Sequence, residues 1–487
     1  MKKRKKKRNF FAVEYNSEST AHNFLFILTA FLLIAAIFAV RARHCDGTYC
    51  YIAFEKDAYI WQSPYIKQTD AFLKGQLHLD ATASEELLSL ENPYDPSARA
   101  EAGAAFLWDH AFYNGRYYSY FGVAPILTVH LPIYLVTGGL PSDEYAAQML
   151  AVYAVIFLAL AYREVLLRFV KKVNLWLFLL GLCAFTVVSG VYTAVLIADF
   201  YYLPVLSALG CTMAFVFYAL RAVRKNGCAE RRTLLALAAI SLTLAVLSRP
   251  SASLMCLGVS PFFAELFYKK ERSERRKNLS SLCFFALPLA VLACAVMWYN
   301  SARFSSPFDF GEKYQLTVSD VSKNTLEPGF AFSAFFSYFL YPFWEKSTYP
   351  FIGMQGQLVL PNGARYVYGD LYVGAFALVL PAVALLYPGL ARREREAGEA
   401  DPFKNTAVLA TAVLSVAVAF ADFCRGGVNM RYIYDIVPML SIVGVTTLLG
   451  LTARFSGAKK ICCSLICTVA FAFAVYAGVC VAEAFLP

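Results

Sequence analysis

A chain of 487 residues with 59% hydrophobic and only 16% charged content is not a water-soluble domain. Apolar runs of about 17–25 residues, the length that crosses a bilayer core of about 30 Å, recur from end to end, and no alternation of the kind a membrane barrel needs is visible. The net charge of +10 is gathered in clusters between apolar segments, which points to membrane topology and anionic lipid and away from nucleic acid.

The fold class is therefore an all-α polytopic membrane protein. MKKRKKKRNF opens a basic cytoplasmic tail, 1–22, and the first transmembrane helix, 23–41, reads as a retained signal anchor without a small-residue cleavage site. Residues 42–145 then form a long external loop. Its HCDGTYC stretch holds Cys45 and Cys50, which would form a local disulfide if that side is oxidising. Most of the other cysteines lie inside apolar spans, where the thiol acts as a small hydrophobe, and no spacing suggests zinc.

VAPILTVHLPIYLVTG (123–138) is apolar but short, with Pro125 and Pro132 seven residues apart. If it crossed the bilayer, Lys171 and Lys172 would lie outside, so the positive-inside rule favours a helix that lies in the outer interface or dips in and returns. Transmembrane helices fill 146–298, at about 146–169, 174–194, 201–221 and 279–298. Between the last two, 233–267 is too long for one span and reads as two short spans meeting at an external tip, Ser248-Arg249-Pro250. A second external loop, 299–365, contains an aromatic interfacial candidate at 330–352. The C-terminal transmembrane block, 366–487, has spans at 366–388, 405–421, 433–451 and 461–484. The count is about eleven spans, with the N-terminus inside and the C-terminus outside. The basic clusters at 221–232, 269–278, 391–396 and 453–460 all fall on the cytoplasmic side of this plan.

Polar chemistry concentrates outside. Ionisable residues are almost absent from the estimated midplane, where a proton- or ion-coupled transporter usually carries them. The external acids include Asp57, Asp70, Asp109 and Asp199. Asp70 in DAFLKGQL and Asp109 after Trp108 stand beside apolar or aromatic side chains, a setting that suits a general base. Arg249, in LSRPSASL, and Arg431, in NMRYIYDIVP, lie on the outer side, where topology gives no reason for an arginine; a guanidinium there can fork onto a phosphate. Arg303 likewise breaks an apolar context.

The order of DAFLKGQLHLD, WDHAFYNGRYYSYFGVAP, YAAQMLAVYAVIFLALAYREVLLRF, LAVLSRPSASL, YNSARFSSPFDFGEKYQLT and RYIYDIVPML resembles the GT-C glycosyltransferases. That integral-membrane class includes the protein O-mannosyltransferases and the aminoarabinose transferases of lipid A. The resemblance spans about residues 23–450. The chain departs from the O-mannosyltransferases in having KDAY and TDAF in place of an adjacent Asp-Glu pair, and FGVAP in place of a His-Pro-Pro type motif.

The resemblance implies a GT-C-like architecture and a polyprenyl-phosphate-linked sugar donor used on the extracytoplasmic face of the cell membrane. Asp70, with Asp109 assisting and Asp57 behind it, would orient or deprotonate the acceptor. Arg249, Arg431 and Arg116 would hold the donor phosphate. Trp61, Tyr117, Tyr118, Tyr120, Asp199 and Arg303 would meet the sugar or the acceptor. No cofactor is required by the sequence, and divalent metal stays open. Membrane lipids and an acceptor of unassigned class (glycan, lipid or protein) are the other partners. A flippase or transporter of a lipid-linked sugar and a non-catalytic membrane scaffold are the competing readings.

Overall fold

The computed structural model describes residues 13–44, 50–55, 57–170, 172–225, 227–354 and 371–485. The basic run at 1–10 and Cys45, with the pairing proposed for it, lie outside the described residues.

Among the described residues eight helices are long and apolar enough to cross a membrane. They are α1 (Thr20–His44), α4 (Asp143–Phe169), α5 continued by α6 (Leu175–Val188, Val191–Ile197), α7 (Leu203–Arg224), α8 (Cys228–Ser248), α9 (Arg272–Phe304), α10 (Pro402–Gly426) and α13 (Gly457–Glu483). Local chemistry sets their starts. Ser142 accepts from the Tyr145 N–H at the head of α4, Asn174 from those of Trp176 and Leu177 at α5, and Asp401 from Phe403 and Lys404 at α10, where Pro402 occupies the first turn. The centre of the bundle is α7, flanked by α4 and α8 and almost wholly buried. By contrast α9 packs chiefly on α8 and leaves Leu279, Leu287, Val291 and Trp298 exposed, the surface a bilayer would cover.

The long helices are eight where eleven spans were expected because three apolar stretches are not single long rods. Residues 250–267 run as a string of short helices, Pro250–Ser253, Leu254–Val259 and Pro261–Glu265. They lie antiparallel along α10. Arg249 is beside Asp422 at one end, a Cβ on Gly258 would stand 2.5 Å from the Thr411 hydroxyl midway, and the Tyr268 and Phe403 rings meet at 5.3 Å at the other end. Pro250 and Pro261 each open a new turn, so the stretch covers the length of α10 without one continuous hydrogen-bond ladder. Residues 371–388 are similarly broken, and 433–451 becomes a tight turn, α11 (Met430–Ile433), followed by the shorter α12 (Val437–Ala453).

The two long loops fold together as a cap over one end of the bundle. Helix α2 (Pro64–Leu73) begins with Ser63 as its N-cap. The stretch that leads into the apolar segment at 123–138 is a β-hairpin, β1 (Ala111–Tyr113) with β2 (Arg116–Tyr118). Asn114 and Gly115, both at positive φ, make its two-residue turn. Leu79, Leu87, Phe112, Tyr117 and Leu316 form a small core in which the second loop closes on the first. The interfacial segment follows as Ile126–Thr137, ending in α3 (Leu131–Thr137), with Leu135 and Val136 exposed. At the opposite end of the bundle lie the basic clusters, braced by Arg224 with Glu164 (2.8 Å) and by the buried pair Lys404 with Glu394 (2.6 Å).

Candidate functional site at the cap and bundle junction

Where the cap meets the helix ends, side chains from four distant parts of the sequence form one connected set. Asp109 enters it from the residue pair before β1. Its backbone is left-handed (φ 52°), a conformation Asp tolerates better than most residues, and its N–H donates to the Leu316 carbonyl at 3.0 Å. The next residue, His110, is buried with its Nδ1 2.6 Å from the Trp108 carbonyl. The cap therefore grips both sides of the acid.

Tyr201 donates its hydroxyl to Asp109 Oδ2. The turn that presents Tyr201 is built by Asp199, whose Oδ1 accepts from the N–H groups of Tyr201 (3.0 Å) and Tyr202 (3.2 Å) just ahead of α7. Over the Tyr201 ring lies the Arg431 guanidinium, 4.5 Å from the centroid, and the Tyr432 ring centroid is 5.1 Å from the same guanidinium. Asn429 positions Arg431 by accepting from its N–H at the start of α11. Among the described residues no carboxylate pairs with Arg431, and its buried Nε has no acceptor.

Arg249 also lies over Tyr432, 5.3 Å from the ring centroid. Its Nε and Nη2 fork onto the two oxygens of Asp435, each at 2.7 Å, and the Ser251 hydroxyl donates to the same carboxylate at 2.8 Å. Asp422, in the last turn of α10, adds a second carboxylate to the surroundings of Arg249. The two arginines thus differ in kind: Arg249 is neutralised by a bidentate partner, and Arg431 is an unneutralised cation held against two aromatic rings.

Gly122 fixes the approach of the cap. A Cβ there would collide with the Leu247 and Ser248 carbonyl oxygens, so only glycine lets the FGVAP backbone lie against the end of α8. That contact brings Tyr120 and Phe121, stacked at 4.4 Å, next to Tyr201, whose ring meets Phe121 edge-on at 5.7 Å. Burial, with the Asp109 carboxylate adding to it, pushes the Tyr120 phenol well above its ordinary value, so it is neutral at the site.

The structure brings Asp109, Tyr120, Asp199, Arg249 and Arg431 together from the residues singled out in the sequence. Others have different surroundings. Asp70 pairs with Lys74 at 2.7 Å, and Lys74 also holds Asp80. Asp57 accepts from the Tyr51 hydroxyl and the Tyr59 N–H, both at 2.7 Å, and these bonds hold its carboxyl below the usual carboxylate range. Arg116 is exposed on β2. Tyr117 belongs to the small cap core, and Tyr118 packs on Phe304 at 5.3 Å. Arg303 is a brace: Nη1 donates to the Ser119 carbonyl (2.9 Å), Nη2 to Asn300 (3.0 Å), and the guanidinium lies 3.8 Å over Tyr299. Trp61 is half-buried on the turn before α2. Tyr201, Tyr432, Asp435 and Asp422 were not singled out. The polar residues flanking Arg431 in RYIYD, and the acid in ADFCRGG at the end of an apolar run, were the available signals.

Among the described residues no group of three His, Cys, Asp or Glu side chains converges as a metal site would. No protein-family model matches the sequence, and no curated protein matches it. Among solved structures the chain is similar to ArnT from Cupriavidus metallidurans. The apo state has 12% identity over 90% of this chain and 61% of that one, with a TM-score of 0.43. The form bound to undecaprenyl phosphate has 11% identity over 92% and 64%, with a TM-score of 0.41. It is also similar to the Archaeoglobus fulgidus oligosaccharyltransferase in the apo form, with 12% identity over 95% of this chain and 56% of that one, TM-score 0.46. The chain spans less than two thirds of the length of each of these proteins.

Proposed function

We propose that the protein is a membrane glycosyltransferase of the GT-C type, moving a sugar from a polyprenyl-phosphate donor to an acceptor at the extracytoplasmic surface. The observation that carries this reading is the unneutralised Arg431 one aromatic ring away from the Asp109 carboxylate. The basic clusters lie at the other end of the bundle, and by the positive-inside rule that end is cytoplasmic, which supports an outward-facing site.

In this reaction the acceptor hydroxyl attacks the anomeric carbon, a new C–O bond forms, and the bond from that carbon to the phosphate oxygen breaks with its electron pair leaving on the phosphate. Asp109 Oδ2 is occupied by Tyr201; Oδ1 takes the acceptor proton. Arg431 carries the donor phosphate and stabilises the negative charge it gains as it departs. Tyr120 and Phe121 offer ring faces to the sugar.

The surroundings favour Asp109 over Asp70, whose carboxylate is committed to Lys74. The test is a transfer assay in membranes that reads release of undecaprenyl phosphate from undecaprenyl-phosphate-linked sugars. Asp109→Asn is expected to lower turnover by a factor of about 10² or more, the usual scale of a lost general base, while Asp70→Asn stays within about threefold of wild type. Full activity in Asp109→Asn would remove the assignment, and loss confined to Asp70→Asn would move the acid to α2.

A further inference from the structure

Tyr201 has a place in this arrangement that its residue type alone does not predict. Its hydroxyl is on Asp109, its ring is under Arg431, and its backbone is tied by Asp199, so three charged side chains hold one tyrosine. The ring itself is wedged, edge-on to Phe121 at 5.7 Å and against Phe200 at 4.2 Å. These contacts brace both the edge and the face of the ring.

We propose that Tyr201 is the positioning residue of the site, aiming the Asp109 carboxylate through its hydroxyl and seating Arg431 on its ring, so that the acid and the phosphate-binding cation keep one separation. The proposal rests on the transferase reading above. Burial and the neighbouring Asp109 carboxylate push the Tyr201 phenol well above its ordinary value, so the hydroxyl stays protonated and remains a donor. The two contacts use different parts of the side chain, and two substitutions separate them. Tyr201→Phe removes the hydroxyl and keeps the ring; Tyr201→Leu removes both.

The full chain is assayed in membranes for release of undecaprenyl phosphate, and after detergent extraction for binding of undecaprenyl phosphate itself by native mass spectrometry. Tyr201→Phe is expected to bind undecaprenyl phosphate within about twofold of wild type yet turn over about tenfold or more slowly, because a misaimed acid costs rate and not affinity. Tyr201→Leu is expected to lose turnover and, with the cation–π seat gone, about fivefold in affinity. If Tyr201→Leu does not fold, Tyr201→Met replaces it. Asp109→Asn and Arg431→Gln run alongside. Wild-type turnover in both of those would sink the transferase site itself. Loss in both, with wild-type turnover in Tyr201→Phe, would overturn the aiming role alone. Equal affinity in Tyr201→Phe and the variant lacking a ring would overturn the seating role.

Discussion

A guanidinium without a counter-ion in a half-buried position is costly, since burial disfavours a charge unless another group offsets it. At Arg431 the offset comes from two ring faces, which attract a cation without neutralising it and leave its donors for an incoming anion. Arg249 shows the opposite solution, a fork–fork pair with Asp435. The two positions should therefore respond differently to charge-conserving change. Arg431→Lys keeps the charge but loses the flat guanidinium that lies on Tyr201, so undecaprenyl phosphate affinity should fall about five- to tenfold with the melting temperature little changed. Native mass spectrometry and thermal melting read the two quantities separately.

Helices and turns place these side chains, and the close contacts between elements are what hold the site together. The FGVAP strand of backbone meets the end of α8 through Gly122, with no room for a side chain. Gly122→Ala should push the cap off the helix end, lowering stability by about 1–3 kcal/mol, the usual scale of overpacking, and impairing undecaprenyl phosphate binding by moving Tyr120 and Phe121 away from Tyr201. A melting curve in detergent alongside the binding measurement checks this; an unchanged melting temperature would mean the contact yields freely. The hairpin is a second case. Its Asn-Gly turn is a strong local signal for β-structure, and the pairing of Ala111–Tyr113 with Arg116–Tyr118 puts Phe112 and Tyr117 into the small cap core.

The molecule as a whole is a membrane bundle with a cap made from two loops that are far apart in sequence. Their junction runs through His110, a residue 3% exposed, whose carbonyl accepts from the Leu316 N–H. Burial, with Lys67 nearby, lowers the His110 pKa to about 4 from an ordinary value of about 6.5. Between those values the unfolded cap binds the proton and the folded cap does not. Cap stability is thus fully present above about pH 6.5 and falls as the pH drops toward 4, by up to about 3 kcal/mol. Hydrogen exchange of the cap amides should accelerate over that window relative to the bundle, and His110→Gln should flatten the dependence. No difference between the two proteins would show that another group governs the cap.

Composition and the lengths of the apolar runs determine the class and the approximate spans, because bilayer thickness acts on the chain locally, and the basic clusters give each loop an expected side. They also single out Arg249, Arg431 and Asp109, since an ionisable residue beside apolar sequence is conspicuous wherever it lies. They do not separate Arg249 from Arg431, or Asp109 from Asp70. Those distinctions depend on partners contributed by remote segments: Asp435 for one arginine and Tyr201 for the other, Lys74 for one acid and Tyr201 again for the second. The breaking of 250–267 into short helices along α10 is of the same kind. Hydropathy measures how apolar a segment is, whereas the partner that meets each side chain is decided only when the helices pack and the two loops close over them.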